Sequence, residues 1–324
     1  MLLALCSLLL APCSTAEAQQ KDKVFRIGFL DPSNASGSAV VVDVFRQELT
    51  KLGWIEGKNI TIEYRFNENK GTERISELAA ELVRLSVDLI VTTGDGPTLA
   101  AKKATTIIPI VMTTSSDPVA QGLVASLARP GGNVTGLSSL AADLNTKRLE
   151  ILKDAIPKLA RVALLQSPGS VTSDLQLKEL RPAAVALKLK LEEIDTQPDA
   201  KGLESAFETV KQKQVNAIMT VATRPFFAER KPIVELAAKY RLPAIYFTKE
   251  FVDDGGLMSY GPDYDDLFRK AAHYVDKILK GAKPADLSVQ QATKFQFVIN
   301  LKAAKQIGLT IPVRVLERAN QVMR

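Results

Sequence analysis

The sequence predicts an α/β protein of two lobes, and three observations carry that prediction. From Val24 onward, short apolar runs alternate with amphipathic helical stretches, the pattern of parallel sheets flanked by helices. The series then restarts in the second half of the chain, although no residue-level repeat relates the two halves. A length of 324 residues gives each half enough chain to bury its own core.

The first series places strands at 24–30, 60–65, 89–92, 107–112 and 134–137, with helices such as 40–52, 73–85 and 98–105 between them. The second places strands at 162–165, 190–194, 217–221, 244–247 and 295–299, with helices near 174–187, 202–212, 231–240 and 263–280. That last helix follows Gly261-Pro262, and Asp263, Asp265 and Asp266 at its start are read as caps facing the helix dipole. Turn chemistry marks linkers at Ile156-Pro157-Lys158, Tyr260-Gly261-Pro262 and 281–286.

Residues 2–11 form an apolar run too short to span a bilayer, and Ala16-Glu17-Ala18 supplies small residues around a cleavage point. Residues 1–18 are therefore expected to be a secretory signal peptide, although no Lys or Arg precedes the run. Both cysteines, Cys6 and Cys13, lie inside it, so the mature chain has no thiol for a disulfide, a metal or nucleophilic catalysis. Leu5 and Pro12 precede them where lipidation needs a small residue, which disfavours a lipid anchor at Cys13.

The formal charge of +6 rises to +7 without residues 1–18, where Glu17 is the only charged side chain. No basic cluster with interleaved aromatics and no helix-turn-helix accompanies it, so no nucleic acid is expected as a partner. Basic residues sit beside acidic ones, as in Lys147-Arg148-Glu150, and read as solvated helix faces.

In open parallel sheets, ligands bind beyond the carboxyl ends of the strands. Here every such end is small and polar. Asp31, Ser33, Asn34 and Ser36 follow the first strand; Thr93, Gly94 and Asp95 the third; Ser115, Ser116 and Asp117 the fourth. Ser167, Thr223 with Arg224, and Thr248 with Glu250 do the same in the second series. Ser33, Asn34, Thr93, Gly94, Ser115, Ser116, Asp117, Ser167, Thr223, Arg224, Tyr246, Thr248 and Glu250 are the candidate ligand contacts. Asp117 or Glu250 is expected to pair with an ammonium group, and the hydroxyls and amides around Ser115-Ser116 to hold a carboxylate. For any one of them, capping the following helix or turn is the competing role.

Catalytic chemistry is sparse. His273 is the only histidine, so no Ser-His-Asp or Cys-His arrangement and no His/Cys metal site can be assembled. Gly131-Gly132-Asn133-Val134-Thr135-Gly136-Leu137 has Leu137 where a phosphate loop needs lysine, and no dinucleotide fingerprint follows the first strand. No catalytic residue, metal or cofactor is expected. Asp253-Asp254 beside Gly255-Gly256 reads as a solvated turn.

The run from Ser116-Asp117-Pro118-Val119 through Gly122-Leu123-Val124-Ala125-Ser126-Leu127-Ala128-Arg129-Pro130-Gly131-Gly132-Asn133-Val134-Thr135-Gly136 resembles the central signature of a family of ABC-transporter substrate-binding proteins. Gly255-Gly256-Leu257-Met258-Ser259-Tyr260-Gly261-Pro262, Ile278-Leu279-Lys280-Gly281-Ala282-Lys283-Pro284 and Ile299-Asn300-Leu301-Lys302-Ala303-Ala304-Lys305 resemble the same family; Leu287-Ser288-Val289 departs from an expected Leu-Pro-Val. The resemblance implies a type I periplasmic-binding fold, two Rossmann-like lobes joined by three hinge crossings. Lobe one would comprise 24–158 plus 262–285, and lobe two 159–261 plus 286–324. It further implies a periplasmic monomer that closes on a small polar ligand, in some members tryptophan or another aromatic amino acid, and presents it to an ABC permease of the inner membrane. A sensor for a membrane receptor, or an exported enzyme relying on Asp, Glu, Ser, Lys or Tyr, are the alternative readings.

Overall fold

A computed structural model describes residues 23–68 and 70–324, and the expected signal peptide with Cys6 and Cys13 lies outside them. The first unit runs β1 (Phe25–Asp31), α1 (Ala35–Lys51), β2 (Ile60–Phe66), α2 (Gly71–Arg84), β3 (Leu89–Thr92), α3 (Asp95–Ala104), β4 (Ile110–Ser115), β5 (Val134–Ser138). There follow α4 (Ala141–Ala155), β6 (Arg161–Gln166), α5 (Val171–Ala186), β7 (Lys190–Asp195), α6 (Ala200–Gln212), β8 (Ala217–Thr220), α7 (Arg224–Ala228), α8 (Arg230–Lys239), β9 (Ala244–Tyr246), α9 (Glu250–Asp253) and β10 (Met258–Pro262). The chain ends with α10 (Tyr264–Leu279), β11 (Gln290–Gln291), β12 (Phe295–Asn300), α11 (Leu301–Gln306), α12 (Val313–Leu316) and β13 (Gln321–Met323).

One sheet has the order β11-β5-β4-β3-β1-β2 and is parallel throughout, with Ile27 opposite both Ile62 and Leu89. The other has the order β13-β12-β10-β9-β8-β6-β7, and only the β10–β12 pair in it is antiparallel. Parallel strands covered on both faces read as nearly continuous apolar runs, and every residue of β3 is buried. Alternation decides which face each side chain joins. Leu89 and Val91 pack with Ile27, Phe29 and Phe45 under α1 and α10. Ile90 packs with Leu30, Ile110 and Met112 on the other face, under α2 and α3. Each such fully buried side chain stabilises the fold by about 1.5–3 kcal/mol relative to exposure.

Helix α10 carries its apolar stripe at Leu267, Phe268, Ala271, Ala272 and Val275. Asp263 caps it, accepting from the Asp266 N–H at 2.9 Å, as the sequence predicts. His273 is on its exposed side, 3.2 Å from Glu48. Asp254 is not simply solvated: Arg230 lies 2.8 Å from it.

The chain crosses between the units three times, between β5 and α4, between β10 and α10, and between β11 and β12. The boundaries expected at 158 and 285 therefore move. Helix α4 packs on α5, β9 and β10 of the second unit, so the turn at Ile156-Pro157-Lys158 lies within that unit. The turn at 281–286 likewise joins two elements of the first unit, α10 and β11. Tyr260-Gly261-Pro262, expected as a linker, ends strand β10 in the middle of the second sheet. Gly261 is there because a Cβ would stand 1.7 Å from the Phe247 carbonyl oxygen, a close backbone approach that only glycine allows.

Candidate functional site

The carboxyl ends of the two sheets face each other, and the residues beyond β1, β3 and β4 meet those beyond β8 and at the start of α5. Asp31 is fully buried at the end of β1. One oxygen accepts from the Ser33 N–H at 2.8 Å and its hydroxyl at 2.5 Å; the other lies 3.4 Å from the Arg224 guanidinium, contributed by the opposite unit. Arg224 also donates to Ser38 Oγ at 3.1 Å, and Ser38 is 2.8 Å from Ser33 Oγ. Asn34 caps α1 through the Gly37 N–H and donates its amide to Glu229 at 3.1 Å across the same gap. Gly94 has φ +84° and faces the Arg224 side chain.

Asp95 opens α3 and is 4% exposed. It accepts from Ser115 Oγ at 2.5 Å, from the Ser116 N–H at 3.0 Å and from Thr172 Oγ1 of the other unit at 3.2 Å. Burial pushes its pKa above the ordinary aspartate range. No described Lys, Arg or His pairs with it. The Thr93 hydroxyl beside it is buried and without a partner.

From the second unit come two buried guanidinium groups. Arg224 lies 4.5 Å over the Phe227 ring and 5.9 Å from that of Phe268. Arg148, on α4, is 1% exposed. Its Nε donates to the Tyr260 carbonyl at 2.7 Å and its Nη1 to Asn145. Burial lowers its pKa to about 10. Asn145 donates to Gln176 at 2.8 Å, and Gln176 exchanges hydrogen bonds with the backbone of Ala222. Tyr264, stacked on Phe227 at 5.6 Å, sits within electrostatic reach of Arg224, Arg148, Glu250 and Asp95, and burial pushes its hydroxyl up to about 12.

The expected contacts thus divide. Ser33, Asn34, Thr93, Gly94, Ser115, Ser116 and Arg224 come together around this buried polar cluster. Glu250 and Thr248 are buried beside it, and burial raises the Glu250 pKa. Thr223 holds the N-cap position of α7, and Ser167 is half-buried after β6. Asp117 is a turn cap, accepting from the N–H groups of Val119 and Ala120 at 3.0 Å. Tyr246 stacks on Phe251 at 4.5 Å and packs with Val234, Ala237 and Ile307 in the apolar layer. Among the described residues no group of carboxylates, His or Cys is arranged to hold a metal, and no helix is long and apolar enough to cross a membrane.

Arg148, Asn145, Gln176 and Tyr264 escape a search of strand ends because they stand on helices. Reading Arg148 as solvated was wrong. A signal was present: Leu144, Arg148, Ile151, Leu152 and Ala155 share the buried side of α4, so Arg148 is the charge on an apolar helical stripe.

A family model described as ABC transporter substrate binding protein matches residues 33–323. A tyrosine-binding protein of Clostridioides difficile strain R20291 is 29% identical over 267 residues, 82% of this chain and 75% of that protein. The solved structure of an ABC domain in complex with L-Trp from Streptococcus pneumonia is 27% identical, covers 92% of this chain and 100% of its own, and superposes with a TM-score of 0.79. The ligand-free, open structure of a substrate binding protein with adhesive properties from Clostridium difficile is 26% identical, covers 93% and 99%, and superposes at 0.61.

Proposed function

Because the chain belongs to the family of ABC transporter substrate-binding proteins, we propose that it captures an amino acid in the cleft between its two lobes and delivers it to an importer. Proteins of this family bind solutes and are not enzymes, and the two-sheet architecture is that of type I periplasmic binding proteins. In this reading lobe one is 23–139 plus 263–292 and lobe two is 140–262 plus 293–324. The ligand favours the closed arrangement because it touches both lobes at once.

The observation that carries the reading is the buried polar cluster to which both lobes contribute, Asp31 and Asp95 from one and Arg224 and Thr172 from the other. Asp95 is a desolvated carboxylate with hydroxyl and N–H donors but no cation, and a ligand ammonium would supply one. The likeness to the L-Trp complex and to a tyrosine-binding protein supports an amino acid over a sugar. Export to the periplasm, a monomeric state and docking on an inner-membrane permease belong to the same proposal.

A thermal-shift screen of the twenty amino acids, with uncharged sugars and nucleosides as controls, followed by calorimetry, tests it. A ligand present at a hundred times its Kd stabilises the folded form by about 2.7 kcal/mol, so at least one amino acid is expected to raise the unfolding midpoint. Binding of a sugar or nucleoside with no amino acid binding would overturn the ligand class.

A further inference from the structure

We propose that Arg148 receives the carboxylate of the ligand, so that the protein accepts only ligands in which that carboxylate is free. The proposal rests on the amino-acid reading above. Arg148 is enclosed on α4, and its Nη2 has no hydrogen-bond partner. Its two other nitrogens donate to neutral groups, the Tyr260 carbonyl and the Asn145 amide oxygen. Among the described residues no carboxylate forms an ion pair with it. A lone cation out of water costs several kcal/mol unless an anion compensates it, so the fold keeps a positive charge with a vacant donor where a structural role would be served by a neutral side chain.

The surroundings fix the guanidinium without neutralising it. Asn145 accepts from Nη1 and is held in turn by Gln176, which is locked onto the Ala222 backbone through both its amide groups. An aspartate at position 145 could make the same contact and cancel the charge; the chain has asparagine. Nη2 lies 3.6 Å from where a Gly261 Cβ would stand, at the end of the strand leading into the second crossing. Tyr264, just past that crossing, is within electrostatic reach of both Arg148 and Asp95. A guanidinium with a free donor and a buried carboxylate with no cation match the two charged ends of an amino acid.

The test is calorimetry on the full chain with the tightest-binding amino acid of the panel, its amide and its decarboxylated amine. The wild type is expected to prefer the free acid by roughly 30-fold or more over either analogue, the smallest loss typical of leaving a buried charge unpaired. Arg148→Gln is expected to bind acid and amide alike. Asn145→Asp, which keeps the hydrogen bond from Arg148, gives up the donation to Gln176 and cancels the charge, is expected to lose the same preference while unfolding cooperatively. A purely structural role for Arg148 would weaken acid and amide together and leave their ratio unchanged. That result in a folded variant, or a wild type that binds the amide as tightly as the acid, would overturn the proposal while leaving the amino-acid reading standing. If both variants fail to fold, the wild-type ratio alone decides. If no amino acid binds, the amino-acid reading falls and this proposal falls with it.

Discussion

At the residue scale, two aspartates near the same strand ends have different roles for a physical reason. Asp117 precedes Pro118, and its carboxylate is satisfied by two backbone N–H groups of its own turn. Asp95 is enclosed, receives donors from β4 and from the other unit, and has no cation. Asp95→Asn is therefore expected to weaken amino-acid binding by about 2–5 kcal/mol, whereas Asp117→Ala should leave affinity unchanged within error and cost about 1 kcal/mol of stability, as lost caps do. Asp95→Asn also has a pH signature. A carboxyl whose folded pKa is raised holds its proton after the unfolded chain has released it, so wild-type stability falls as pH rises from the ordinary aspartate range through the raised value. The ligand-free asparagine variant should gain on the wild type across that window and show no such gain below it, which unfolding in denaturant from about pH 3 to 8 would record. The strand-end rule brought Ser33, Asn34, Thr93, Ser115 and Arg224 to one place. It could not separate a carboxylate that caps from one that is desolvated, because that depends on contacts across the gap.

At the element scale, the strands were legible where both faces are buried, since runs such as 89–91 and 217–219 are apolar throughout. Strand β10 was not, because the residues that let it pass close to Phe247 are those that mark turns elsewhere. Helix α1 begins five residues before its expected start because Asn34 caps it. Its first turn and the far end of α7 form a close contact between the units. A Cβ at Gly37 would stand 2.3 Å from the Ala228 Cβ and 2.5 Å from its Cα, so the close arrangement requires glycine at position 37. Gly37→Val is expected to overpack that contact in the closed form by about 1–3 kcal/mol and to lower ligand affinity by roughly 5- to 150-fold. The unfolding midpoint of the ligand-free protein should change little. Calorimetry beside a ligand-free melt checks this, and an unchanged affinity would show that the lobes need not meet there.

At the scale of the whole molecule, two α/β units were readable from the restart of the strand-helix series. Where α4 belongs was not: it follows the first series in sequence and packs on the second, because the chain crosses immediately after β5 and no composition shift marks that place. Helix α10 follows the second series and packs on the first, and there the turn chemistry of Gly261-Pro262 stands beside the crossing. Leu140, with φ +56° just before α4, sits at the first crossing. In the proposed function the contacts Asp31–Arg224, Asn34–Glu229 and Asp95–Thr172 are those of a closed state that a ligand stabilises by lying between the units. Small-angle X-ray scattering of the purified protein, titrated with the amino acid that binds, tests that claim most directly. The radius of gyration should fall on saturation towards the value calculated from this structure, and a radius already at that value without ligand and unchanged at saturation would contradict closure on the ligand.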